Sequence, residues 1–221
     1  MSGADARGVF LSFAYVLAVL LGCDLARRLG WASAEVTRKA VHIAVGIWIF
    51  PTLFLFRHWE WALVPPLVFA VLNALSLRFH IFGAIEVGER SWGTVLFPVS
   101  FAILIALYWR IARPEIAASG LMAMAWGDAM ASVVGRAFGK RGYSVWGQRR
   151  TWLGSLAFVG WTALAVTLTL RFLGRYAPPI ALAHGLLAGL AGALVEALSP
   201  RGTDNLTVPL ATTALLFALP R

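Results

Sequence analysis

Apolar residues along this chain gather into eight runs, approximately 9–26, 40–56, 59–77, 94–109, 115–134, 153–173, 179–198 and 205–219. Short stretches carrying the charged residues, glycines and prolines part them. A helix needs roughly 20 apolar residues to cross a bilayer. The pattern therefore predicts an all-α, polytopic transmembrane helical bundle of about seven to eight spans. The second and third runs are short and separated only by Arg57 and His58, so they read as a tight helical hairpin. The last run is also short and suits partial insertion. With no low-complexity tract or strong repeat, residues 1–221 read as a single integral membrane domain.

Composition supports this. Sixty per cent of the 221 residues are hydrophobic and 13% are charged, against about a quarter charged in soluble domains. The net charge of +9 comes from Arg and Lys placed in the short connections between runs, where membrane proteins keep them. That placement leaves no basic face for a nucleic acid. Cys23 is the single cysteine and lies in an apolar run, so a disulfide within the chain is excluded and a small buried hydrophobe is the simple reading. Arg27 and Arg28 follow the first run instead of preceding it, and no small-residue cleavage site is evident, so that run reads as a retained span.

The basic residues also suggest an orientation. With the N-terminus outside, the inner connections hold Arg27, Arg28, Arg38, Lys39, Arg78, Arg90, Arg136, Lys140, Arg141, Arg149, Arg150 and Arg201. The outer side holds Arg7, Arg57, Arg110, Arg113, Arg171, Arg175 and Arg221. This bias favours both termini outside. Asp24, Glu35, Glu86, Glu89, Asp128, Glu196 and Asp204 fall at the inner ends, while Asp5, Glu60 and Glu115 fall at the outer. A transporter more often sets its key charges near the midplane. Charges of both signs at one face point to a site at the membrane–cytoplasm boundary, open to a soluble anion and a lipid together.

Four segments concentrate the polar chemistry. Asp128 interrupts an apolar helix, where an ionisable group suggests function. Around it Gly127, Ala131, Gly135 and Gly139 recur every four residues, which also fits close helix packing. Gly135 to Lys140 superficially resembles a phosphate loop, but the glycine spacing is one residue short of a Walker A motif and Arg141 stands where Ser or Thr should be. A glycine-rich turn with Lys140 can still cradle phosphates, or meet anionic headgroups. Arg149 and Arg150 precede Thr151, Gly154 and Ser155 at a helix start, either an anion site or an interfacial anchor with Trp152.

Glu35, Arg38, Lys39 and His42 open the second run, with Arg38 and His42 on one helix face. Arg38 and Lys39 suit phosphate contacts; His42 reads as a hydrogen-bonded helix contact. Glu196 closes the seventh run, and Asp204 and Asn205 open the eighth with oxygen donors. An N-cap for Asp204 and an ion pair with Arg for Glu196 are the plain alternatives. Asp128, Glu196 and Asp204 at one depth, among many Arg, suit a magnesium–nucleotide site. No HExxH, Cys/His cluster or Ser/His/Asp set supports zinc or serine chemistry.

RKxxH at 38–42, GDxxAxxxGRxxGK at 127–140, RRTxxGS at 149–155 and EALSPxGTDNLTVP at 196–209 occur in this order, and together they resemble the polyprenol kinase family. That family includes dolichol, phytol and farnesol kinases and the CTP-dependent diacylglycerol kinase, and the resemblance covers about 35–219. It implies a CTP-dependent, Mg2+-requiring kinase of a membrane lipid alcohol. It implies key roles for Arg38 and Lys39, and for Asp128 with Gly135. The reading puts Asp128, Lys39 and Arg38 at the chemistry, with Asp128 binding magnesium or accepting the alcohol proton. Gly135, Gly139, Lys140, Arg149, Arg150, Thr151, Gly154 and Ser155 fall to the nucleotide. Asp128, Glu196 and Asp204 fall to the metal, with His42, Glu35 and Asn205 in support. Members often carry Lys where this chain has Arg150, which alters the donor geometry.

The middle segment is also similar to phosphatidate cytidylyltransferase, but Leu153 replaces that enzyme's Glu and its C-terminal acidic signature is missing. Kinase therefore ranks above cytidylyltransferase, and diacylglycerol stays open as an acceptor. A transporter would show charges deep in several spans and an inverted repeat, and neither is clear. The expected partners are a lipid alcohol, a nucleotide and membrane lipids. In a bacterium the membrane would be the plasma membrane, with the site facing the cytoplasm.

Overall fold

The computed structural model describes residues 1–79 and 92–221, and 79% of them are helical. Glu86, Glu89 and Arg90 lie outside the described residues. Helix α1 (Gly3–Arg28) starts at a capping box, in which the Ser2 hydroxyl accepts from the Asp5 N–H and Asp5 accepts from the Ser2 N–H. Helices α2 (Ala34–Ile47) and α3 (Ile49–Leu55) make one rod, and α4 (Trp59–Ala62) and α5 (Val64–Phe79) make the next. The expected hairpin turn at Arg57 and His58 lies between them. Helix α6 (Gly93–Leu104) runs on into a π-helical turn, Ile105–Trp109. Helix α7 (Pro114–Met122), a π-helical segment Ala123–Asp128 and α8 (Ala129–Phe138) form a single long rod. Strands β1 (Gly142–Val145) and β2 (Gln148–Thr151) precede α9 (Trp152–Phe172), α10 (Pro178–Leu198) and α11 (Asp204–Ala218).

Among the described residues eight rods thus follow the eight apolar runs, and several are apolar enough to make this an integral membrane protein. Six among the described residues are long and apolar enough to cross a membrane. Gly93–Trp109 has 17 residues and α11 has 15. At about 1.5 Å per residue these reach roughly 22–25 Å, short of a hydrocarbon core of about 30 Å. Six full-length rods with two shorter companions among the described residues are consistent with the expected seven to eight spans.

The rod Pro114–Phe138 is the centre of the bundle. Every residue from Glu115 to Ala125 is buried, whereas α1 is mostly exposed to its surroundings. Its alanines, Ser119 and Gly120 let neighbours come close, as interfaces between spans require. Helices α9 and α10 use the same device: a Cβ at Gly189 would stand 2.6 Å from the Val159 carbonyl oxygen. Outward faces carry exposed Leu and Phe, such as Phe10, Leu17, Leu164, Leu190 and Leu194, which suit lipid contact.

Ion pairs sort by the two ends assigned from the sequence. Asp5 meets His58, and Glu115 meets Arg113 and Arg221, at the end expected to be outer. Lys39–Asp128, Arg136–Glu35 and Arg150–Glu196 join at the end expected to be inner.

Candidate active site

Three helices bring the inner carboxylates together. Asp128 ends the π-helical segment of the central rod. Glu196 lies in the last turn of α10, and Asp204 is the first residue of α11. One oxygen from each falls within 4.8 Å of the others. Thr203, and not Asp204, holds the N-cap position of α11, so the capping alternative for Asp204 is set aside. Its Oδ1 accepts from the N–H and the Nδ2 of Asn205. Burial first, and then the Asp128 carboxylate, push Asp204 up to about 6.

Two cations enter this cluster. Lys39 reaches from α2 and donates to Asp128 Oδ2 at 2.5 Å; its side chain is only 8% exposed. Close approach of α2 to the central rod makes this possible. A Cβ at Gly46 would stand 2.4 Å from the Ala125 Cβ, so only glycine fits there. Arg150 pairs with Glu196 and donates to the Ser199 carbonyl at 3.3 Å. Glu196 therefore has the Arg partner that its plain alternative gave it.

Arg38 turns the other way. Its guanidinium binds Glu35 at 2.7 Å, Arg136 binds the same carboxylate at 2.9 Å, and Ser132 donates to it. This group forms the rim. His42 lies one turn beyond Lys39 with its ring 4.0 Å from that of Phe97, and its Nε2 is buried without a hydrogen-bond partner among the described residues. It is thus a ring-packing residue, where a hydrogen-bonded contact was expected.

The strands form a β-hairpin that the apolar pattern gave no sign of. Tyr143 pairs with Arg150 and Ser144 with Arg149 in an antiparallel register. Trp146 and Gly147, both at positive φ, make the two-residue turn, the conformation hairpins of this length favour. Trp146 is held there by its indole N–H, which donates to the Leu198 carbonyl at 2.8 Å. The hairpin brings Arg150 to Glu196 and sets Arg149 in the cavity wall. Thr151 then caps α9, accepting from the Gly154 N–H, and Ser155 hydrogen-bonds the Tyr143 hydroxyl.

The glycines serve packing. Gly135 sits in the last turns of α8, where a Cβ would meet Thr151 Oγ1 at 2.7 Å; Gly139 would meet the Gly135 carbonyl at 2.3 Å. The expected glycine-rich turn is therefore the end of a helix, packed on the hairpin and on Gly154. Lys140 is exposed beside it.

All of this faces one cavity of about 690 Å³. Among the predicted site residues, Glu35, Arg38, Lys39, His42, Asp128, Gly135, Arg149, Arg150, Thr151, Gly154, Ser155, Glu196, Asp204 and Asn205 line it; Gly139 and Lys140 do not. Asp24, Arg27 and Gln148 join the mouth although no motif singled them out. Away from the charged mouth the lining turns apolar, with Val16, Leu20, Val45, Phe69 and Phe101 from α1, α2, α5 and α6. The site is a charged chamber opening into a hydrocarbon-compatible arm.

Relatives carry the same assignment. A phytol kinase from Synechocystis sp. is 35% identical over 213 residues, covering 95% of this chain and 90% of its own. A probable phytol kinase 2, chloroplastic, from Glycine max is 29% identical, over 84% of this chain and 65% of its length. A probable phytol kinase, chloroplastic, from Triticum aestivum is 27% identical, over 84% and 67%. No family model and no solved structure matches the chain. With 35% identity sustained along almost the full length of both proteins, the chain belongs to the polyprenol and phytol kinase family of lipid-alcohol kinases.

Proposed function

We propose that this protein transfers the γ-phosphoryl group of CTP to the hydroxyl of an isoprenoid alcohol of the phytol, farnesol or polyprenol class. One observation carries the reading: a single cavity joins a carboxylate-and-arginine chamber to an apolar arm. A nucleotide needs the first and a lipid tail needs the second. The choice of CTP rests on the sequence motifs.

The residues of the chamber fit magnesium. Asp128, Glu196 and Asp204 form an all-oxygen set of the kind this ion takes. The buried Oδ1 of Asn205 has no hydrogen-bond partner among the described residues. Asp128, Glu196 and Asp204 would hold the ion, which would supply positive charge against the negative charge of the phosphates.

The chain's own groups do the rest. Lys39, fixed by Asp128, and Arg150, fixed by Glu196, stand ready to pair with phosphate oxygens, with Arg38 and Arg149 nearer the mouth. Gly135, Thr151, Gly154 and Ser155 form a wall for the nucleotide. Gly139 acts through that wall by admitting Thr151, and Lys140 adds positive charge from outside. The alcohol hydroxyl meets this layer at Lys39 while its tail lies along the arm past His42. Phosphoryl transfer asks mainly for positioning and charge neutralisation. The chamber faces the cytoplasm, at the plasma membrane in a bacterium.

Purified protein in detergent, given γ-labelled CTP, ATP or UTP with Mg2+ and a panel of phytol, farnesol, a long polyprenol and diacylglycerol, tests this. The expected result is label in an isoprenoid alcohol, best from CTP and abolished by EDTA. Absence of label from every alcohol, or CDP-diacylglycerol formation from phosphatidate and CTP, overturns the proposal.

A further inference from the structure

Several hydroxyls buried in this bundle bond within their own helices. Thr169 donates to the Ala165 carbonyl at 2.8 Å and Thr213 to the Pro209 carbonyl at 2.8 Å, each four residues back. That is the habit of Ser and Thr inside helices. Thr162 of α9 departs from it. Its side chain is fully buried, and it donates across to the central rod, at 3.3 Å from the Ala123 carbonyl. Ala123 is the first residue of the π-helical segment and Asp128 is the last. Five residues separate them, the spacing of a π-helical hydrogen bond. Thr162 thus holds the carbonyl at which the widened turn leading to Asp128 begins.

Helix α9 grips the same turn at two further points. Gly127 precedes Asp128, and a Cβ there would collide with the Thr162 hydroxyl and stand 3.0 Å from the Phe158 ring. Trp161 stacks on Trp126 with centroids 5.6 Å apart. Residues 158, 161 and 162 share one face of α9, and residues 123, 126 and 127 repeat that spacing opposite them. In a regular α-helix the Ala123 carbonyl would be taken by the N–H four residues on. A side-chain donor from outside rewards a carbonyl that leaves this ladder, and so favours the widened turn over the regular one. Thr162 does not line the cavity. Whatever it does for the site, it does through the backbone that carries Asp128.

We infer that Thr162 is a positioning residue, which by holding the Ala123 carbonyl keeps the segment π-helical and aims Asp128 at Lys39, Glu196 and Asp204. This rests on the reading of the three carboxylates as the divalent-ion site of a lipid-alcohol kinase.

Thr162→Ser and Thr162→Ala lose the same methyl group and differ only in the hydroxyl, so a loss of packing is common to both. Two measurements on the full-length protein compare them. One is binding of Mn2+ alone, followed by the electron paramagnetic resonance signal of the free ion. The other is kcat and KM for phytol with labelled CTP. Thr162→Ser is expected within threefold of the wild type in both. Thr162→Ala is expected to bind Mn2+ at least tenfold more weakly and to lower kcat at least tenfold, with KM for phytol within threefold. If Thr162→Ala does not elute as the wild type does on gel filtration, Thr162→Val, which keeps the size, takes its place under the same expectations. Serine and alanine variants that behave alike, both near wild type or both impaired, overturn the inference. Weaker Mn2+ binding in the alanine variant alone supports it even where no alcohol is labelled, a result that overturns only the kinase reading. A wild type that binds no Mn2+ overturns the ion site and the inference with it.

Discussion

Lys39 and Arg38 are neighbours in sequence and differ sharply in surroundings. Lys39 is buried against Asp128, while the Arg38 side chain is 50% exposed and shares Glu35 with Arg136. Removing one partner of a buried pair leaves the other charge uncompensated, at a cost of about 3–5 kcal/mol. Lys39→Met is therefore expected to lower kcat at least a hundredfold and to reduce thermal stability in detergent. Arg38→Met is expected to cost no more than tenfold and leave stability near wild type. Equal losses would remove the distinction drawn between them. Asp128→Asn keeps the size and loses the charge, so label transfer should fall at least a hundredfold in a sample that elutes normally. The polar residues of the site were legible because carboxylates are conspicuous among apolar runs. Their pairings were not, since Arg150 and Glu196 come from different elements. The contact of the His42 ring with Phe97 leaves no mark in the chain.

At the scale of elements, the hairpin escaped the pattern for physical reasons. Its strands have four residues each, none of them fully buried, and the turn is Trp-Gly in place of Asn-Gly or Asp-Gly. Gly147 has φ of +74°, which costs a side chain roughly 1–2 kcal/mol. Gly147→Val should disturb the arginines without touching the bundle. The expected outcome is a nucleotide KM raised at least tenfold, with kcat at saturation and thermal stability little changed. A fall in kcat alone would show that the hairpin serves another step. Gly46 offers the opposite case. Gly46→Leu forces α2 off the central rod, and overpacking of this kind costs about 1–3 kcal/mol. Both stability and activity should fall together, as thermal inactivation and label transfer would report.

Across the whole molecule, the number and order of the rods followed from the apolar runs. Which rod sits at the centre did not, because every run is apolar and small residues mark close packing without saying against what. The sorting of charges to two ends makes the orientation testable. With Cys23 replaced by Ser, Arg175→Cys should react with a membrane-impermeant maleimide on intact cells, and Arg141→Cys only after permeabilisation. The reverse pattern would turn the site away from the cytoplasm.

Asp128 stands at the end of a π-helical segment, Ala123–Asp128. Such a segment is an α-helix holding one residue too many, so it behaves as a phase shifter along the rod. Each residue of an α-helix turns it by about 100°. Everything after residue 128, Gly135 included, is pointed by that surplus residue. Wound as a regular helix, the same sequence would carry its charged end about 100° round, away from Lys39, Glu196 and Asp204. The widened turn is therefore as much a part of the site as the carboxylate that it aims.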